Sequence, residues 1–121
     1  MVKTSESSIL AEIVVAGMQE IKAKDVVKID LRELSSAVSD FFIVCHAESD
    51  RQVKAIAASV EREVRKAVKE RPFSSEGHDQ SEWIILDYVN VVAHIFLKEK
   101  REFYGIEDLW GDGQLSTYEN M

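Results

Sequence analysis

Asp87 and His94 are the one pair of side chains whose types and spacing could do acid–base chemistry. A carboxylate that holds an imidazole is half of a catalytic triad. Both lie in residues 82–97, Glu-Trp-Ile-Ile-Leu-Asp-Tyr-Val-Asn-Val-Val-Ala-His-Ile-Phe-Leu. Two runs of β-branched and aromatic residues flank a break at Val89 and Asn90, the pattern of a β-hairpin. With those two residues as the loop, Tyr88 stands opposite Val91, Leu86 opposite Ala93 and Ile84 opposite Ile95. Alternation gathers these six on an apolar face. It puts Trp83, Ile85, Asp87, Val92, His94 and Phe96 on the other, where Asp87 and His94 become diagonal neighbours within reach. No nucleophile claims the third place, so a structural polar pair competes with catalysis. The turn itself is ill-matched. Asn90 tolerates positive φ, but a β-branched residue such as Val89 resists it. The expectation is a longer loop, or one in which only Asn90 is left-handed.

Other chemistry finds little support. His46, His78, His94 and Cys45 show no metal-ligand spacing. No glycine-rich phosphate loop follows a strand, and no Gly-x-Ser-x-Gly elbow occurs. Asp30 and Asp87 each stand alone, so the strand-borne aspartate pair that holds magnesium in nucleotidyl transfer is missing. No metal or cofactor is expected. The lone cysteine cannot form an internal disulfide, which points to a reducing compartment, and its apolar surroundings point to a buried, inert thiol. A net charge of −7 argues against general affinity for nucleic acid and favours a basic protein partner. Aromatic residues crowd the last third: Trp83, Tyr88, Phe96, Phe103, Tyr104 and Trp110. Together they exceed what one apolar face needs, and Trp and Tyr are enriched where protein interfaces concentrate their binding energy.

The elements that must position these residues read off the hydrophobic periodicity. The chain has 121 residues, room for one domain with a real core. Residues 1–7 are polar and expected to fray. From Ser8, apolar residues at helical spacing predict a helix capped by Ser7 or Ser8. Residues 25–31 predict a strand, and residues 41–45, Phe-Phe-Ile-Val-Cys, a central strand buried on both faces. Residues 49–69 predict the clearest helix, opened by a Ser49–Gln52 capping box, with an apolar stripe from Val53 to Val68 and a solvated face of Arg51, Lys54, Glu61, Arg62, Arg65 and Lys66. Residues 73–81 read as a long loop. Residues 98–110 read as a helical segment that Gly105 breaks in two, with Phe103, Ile106 and Trp110 near one face. Residues 111–121 are expected to be disordered. No apolar run has transmembrane length, and no membrane association is expected. A strand before and after the long helix predicts a crossover, hence an α/β fold: a single domain, residues 8–110, with a mixed β-sheet and flanking helices.

The ordered set of motifs resembles the ribosomal silencing factor family, also called Iojap-like proteins. The matching stretches are residues 30–33 (Asp-Leu-Arg-Glu), 39–45 (Ser-Asp-Phe-Phe-Ile-Val-Cys), 82–88 (Glu-Trp-Ile-Ile-Leu-Asp-Tyr), 91–96 (Val-Val-Ala-His-Ile-Phe), 101–104 (Arg-Glu-Phe-Tyr) and 107–110 (Glu-Asp-Leu-Trp). They are joined by Ser49 with Gln52-Val53, by Ala55 and Ala57, and by Glu76-Gly77. The resemblance implies a nucleotidyltransferase-like fold without the catalytic residues. It also implies binding to a large-subunit ribosomal protein at the intersubunit face, which blocks subunit joining and lowers translation when nutrients are scarce. Homodimers of the free protein are implied as well. The lack of a basic presequence favours a cytoplasmic location over an organelle. On this reading Trp83 and Tyr88 are apolar anchors, Glu82 and Asp87 pair with Lys or Arg, and His94 and Phe96 complete the face. Phe103, Tyr104, Leu109 and Trp110 form a rim or dimer contact. The chain departs from the family at residues 46–48, His-Ala-Glu for the usual Ser-Gly-Thr, and at Val89 and Asn90 for the usual Gly-Asp. Two rivals stand beside this reading: an enzyme with residual nucleotide chemistry, and a homodimeric scaffold whose aromatic face is self-buried.

Overall fold

The computed structural model describes residues 6–121. In chain order these form α1 (Glu6–Glu20), β1 (Lys24–Asp30), β2 (Phe41–Ala47), α2 (Asp50–Val68), β3 (Ser74–Glu76), β4 (Trp83–Asp87), β5 (Val91–Leu97), α3 (Lys98–Tyr104), α4 (Ile106–Leu109) and β6 (Gln114–Thr117). The strands make one sheet in the order β3-β4-β5-β2-β1-β6. Only β2 and β5 run parallel, as the α2 crossover between them requires. The expected mixed α/β sheet is therefore the fold.

β2 lies inside the sheet, and every residue of it except Phe42 is buried. The larger core fills the face covered by α1 and α2, where Met18, Ile56, Val60, Ile84, Leu86 and Ile95 are sealed from solvent. Each such side chain contributes about 1.5–3 kcal/mol on burial. The two helices touch closely at Gly17, where an added Cβ would stand 2.9 Å from the Val60 Cα. The Ser59 hydroxyl donates to the Gly17 carbonyl at 2.7 Å across the same contact.

α2 begins as its sequence predicts. The Ser49 hydroxyl accepts from the Gln52 backbone N–H at 3.2 Å. The reciprocal arm of the capping box is absent, because the Gln52 amide donates instead to the Ile21 carbonyl beyond the end of α1. Lys69 closes the helix in a left-handed conformation and donates its N–H to the Arg65 carbonyl.

Four expectations fail, each for a local reason. The first helix already includes Glu6 and Ser7, so neither Ser7 nor Ser8 caps it, and Ser7 Oγ donates instead to Asp40. The rest of the stretch expected to fray, residues 1–5, lies outside the described residues. Residues 74–76 of the expected loop add an edge strand to β4. Residues 114–117 of the expected tail pair with β1, and Tyr118 Oη donates to Glu12 at 2.8 Å. Both strands are short and fully exposed, so they carry no apolar alternation to read. The fourth concerns phase. Gly105 adopts φ +56° and splits α3 from α4 as expected, but the break turns Phe103 outward while Ile106 stays buried.

Candidate functional site

The hairpin has the register that the sequence predicts. Ile84 pairs with Ile95, Leu86 with Ala93 and Asp87 with Val92. Ile84, Leu86, Tyr88, Val91, Ala93 and Ile95 all enter the core under α1 and α2. The opposite face holds a smaller cluster of Val27, Ile29, Leu31, Val44, Phe96 and Ile106. Trp83, Phe42 and Trp110 pack against it while remaining partly open to solvent.

On this face the rings form a continuous row. Trp110 meets Phe42 edge-on at 5.6 Å, and Phe42 meets the His94 imidazole at 4.7 Å. Trp83 stacks on Phe96 at 4.9 Å and lies 4.7 Å from Tyr104, which in turn touches Phe103 at 5.1 Å. Phe96 and His94 are the floor, and Trp83, Tyr104 and Phe103 rise from it. Tyr104 is 48% and Phe103 76% exposed, so the row ends in apolar surface that this chain leaves uncovered.

Trp83 is fixed by a polar contact as well. Its indole N–H donates to His94 Nδ1 at 3.1 Å. That bond requires an unprotonated Nδ1, and burial holds the imidazole neutral by pushing its pKa down to about 4. Its other nitrogen, Nε2, is buried without a hydrogen-bond partner. A second polar cluster places the helices that carry the rim. The Arg101 guanidinium grips the Glu107 carboxylate with two bonds of 2.7 and 3.0 Å, joining α3 to α4. Its Nη1 lies 2.9 Å from His46 Nδ1 on β2. Burial and the Arg101 charge both lower the His46 pKa, so this imidazole too is held neutral.

Several expected site residues change role. Asp87 and His94 do not meet: Asp87 Oδ1 accepts from the Val89 N–H at 2.7 Å and secures the turn, while His94 serves Trp83. The acid–base pair does not exist. Tyr88 is no anchor on the Trp83 face, because alternation puts it in the core on the other side of the sheet, 5% exposed. Phe96 is fully buried and His94 nearly so, and both support the face from beneath. Glu82, next to Trp83, and Asp87, at the turn end of β4, remain partly exposed, with Lys100 Nζ 3.9 Å from Glu82. Leu109 is 75% exposed at the end of α4. Phe42 was not among the expected site residues, yet it is in the row; Ile85, expected on this face, is partly exposed there. Alternation along 41–45 carried the signal for Phe42. Cys45 is buried, and desolvation pushes its thiol up to about 12, so it stays protonated and inert.

Among the described residues no three His, Cys, Asp or Glu side chains gather as a metal site needs, and no helix is long and apolar enough to cross a membrane. Fold and face together define a small mixed-sheet α/β domain, with helices over one face and a partly open aromatic row on the other. The family described as "Ribosomal silencing factor during starvation" matches residues 3–121. The ribosomal silencing factor of Bacillus subtilis is 36% identical over 115 residues, covering 93% of this chain and 92% of the relative. A crystal structure of a Chromobacterium violaceum protein superposes with a TM-score of 0.83 at 36% identity, covering 91% of this chain and 89% of that one. A second, from Bacillus halodurans, gives 0.75 at 32% identity, with 92% and 97% covered. The chain belongs to the ribosomal silencing factor family.

Proposed function

We propose that the protein is a non-enzymatic translational repressor acting by steric occlusion. The Trp83 face docks on a basic protein of the large ribosomal subunit, on ground that the small subunit must cover, and the subunits then fail to join. The carrying observation is the state of Trp83: partly exposed, yet held on three sides by Phe96, Tyr104 and the His94 hydrogen bond. A large ring already held in place loses little freedom on binding, which is what an interface anchor needs. Glu82, next to it, and Asp87, at the far end of β4, offer negative charge suited to Lys or Arg on the partner, and the net charge of −7 steers in the same direction. Phe103, Tyr104 and Leu109 extend the contact as its rim. In the free protein the same uncovered side chains meet a second copy, giving a homodimer. The setting is the cytoplasm.

The test is co-sedimentation with purified large subunits. Trp83→Ala and Tyr104→Ala should each lower affinity at least tenfold, the effect of losing about 1.4 kcal/mol or more at an anchor, while the circular dichroism spectrum is retained. Undiminished binding of a folded Trp83→Ala protein would remove this face from the interface.

A further inference from the structure

The outward face of α2 carries a charge pattern that the Trp83 face does not use. At about 100° per residue, Arg51, Lys54, Arg62, Arg65 and Lys66 fall within an arc of about 120°, and Lys69, the left-handed cap, follows them. All six are exposed, and the other residues in that arc, Ala55 and Ala58, are small. They are six of the chain's 15 Lys and Arg, in a protein whose net charge is −7. The acids of the helix lie outside the arc: Glu61 borders it and is partly exposed, Asp50 stands exposed at the first turn beside Arg51, and Glu63 is farther round and partly exposed. Among the described residues the six make one ion pair, Arg62 with Glu63 at 4.0 Å. The stripe is about 27 Å long at ~1.5 Å per residue.

The helix does not need this arrangement. Like charges four residues apart, as at Arg62 with Lys66 and Arg65 with Lys69, destabilise a helix. The dipole favours cations near the C-terminus but disfavours Arg51 and Lys54 in the first turns. Solubility is served by acids as well as bases. A ligand would give such a stripe a use, and the chemistry it suits is anionic, extended and periodic.

We propose that this face binds the phosphate backbone of double-stranded RNA. The choice of RNA rests on the ribosomal reading above; the charge pattern itself does not. A duplex carries about one phosphate charge per 1.7 Å of axis, so a rod lying along ~27 Å of stripe offers more phosphates than the six cations can engage. An anionic membrane fits worse, because a helix lying on a bilayer presents large apolar side chains and α2 turns Val53, Ile56, Val60 and Val64 into the core. α2 and Trp83 are on opposite sides of the sheet, so one molecule can hold a protein by one face and RNA by the other.

The experiment is fluorescence anisotropy of a short labelled RNA duplex with the whole protein, titrated with salt from about 25 to about 200 mM. Affinity should fall with a log–log slope of about −4 or steeper, at roughly −0.9 per phosphate engaged. Arg62→Gln with Arg65→Gln and Lys69→Gln should make the slope shallower by about 2 to 3 and weaken binding at least tenfold at low salt. Arg65→Gln alone should remove about 1 from the slope, and Arg32→Gln, beyond β1, should change nothing. Absence of binding at the lowest salt, or a triple variant with an unchanged slope, overturns the proposal. So does tighter, equally α2-dependent binding to phosphatidylserine vesicles. Because no ribosome is present, this outcome is separate from that of the Trp83 co-sedimentation.

Discussion

At the scale of single residues, the hydrogen bond between Trp83 and His94 is the contact on which the face depends. It exists only while His94 Nδ1 is unprotonated, and a buried imidazole resists taking a proton. The sign of the pH dependence follows. The folded-state pKa is depressed to about 4 from 6.5, so between those values the unfolded chain binds more protons and stability rises with pH. The contribution is fully present above about pH 6.5 and is lost as pH falls toward 4, by up to ~3 kcal/mol at this one site. Urea denaturation at a series of pH values should show this loss, and His94→Gln should flatten that part of the curve. His46 shifts the same way and remains in the variant, so the difference between the two curves isolates His94. Parallel curves would show that His94 is not the buried neutral base described here.

At the scale of elements, the β4–β5 turn shows where local preference loses to its surroundings. Val89 takes φ +74°, and the Asn90 N–H donates to the Tyr88 carbonyl at 3.0 Å, closing a γ-turn around a β-branched residue. Valine resists this region, which predicts a longer loop or a left-handed Asn90; the loop stays at two residues, and Val89 is the left-handed one. Neighbours hold it there. Ser39 Oγ donates to the Val89 carbonyl at 2.8 Å, Asp87 accepts the Val89 N–H, and the Asn90 carbonyl receives the Asp40 and Phe41 N–H groups. Such a conformation costs about 1–3 kcal/mol. Val89→Gly should therefore stabilise the protein by about 1 kcal/mol, part of the strain relief being offset by the greater freedom of glycine when unfolded. Thermal denaturation should show a rise of several degrees in Tm, and a fall would mean that the valine is not strained. The hairpin register was legible because alternation of apolar residues over both strands outweighs one ill-suited turn residue. The two edge strands were not, since nothing buries their side chains and only backbone hydrogen bonds define them.

At the scale of the whole molecule, the two faces of the sheet do different work. One is sealed by α1 and α2; the other keeps an aromatic row partly open. The sequence led to this second face, because Trp83, His94 and Phe96 share a parity on the hairpin that Tyr88 lacks. It did not rank them by accessibility, which depends on how α3 and α4 cover the sheet end, and that depends on the Arg101–Glu107–His46 cluster linking distant parts of the chain. Net charge is likewise an average: a total of −7 does not say where the cations along α2 stand. On the function proposed above, an occupied Trp83 face keeps the ribosomal subunits apart. Light scattering of purified small and large subunits tests it directly. The protein, pre-mixed with large subunits, should suppress the rise in scattering that marks joining, and Trp83→Ala should restore it. Full joining while the wild-type protein remains bound to the large subunit would contradict the account.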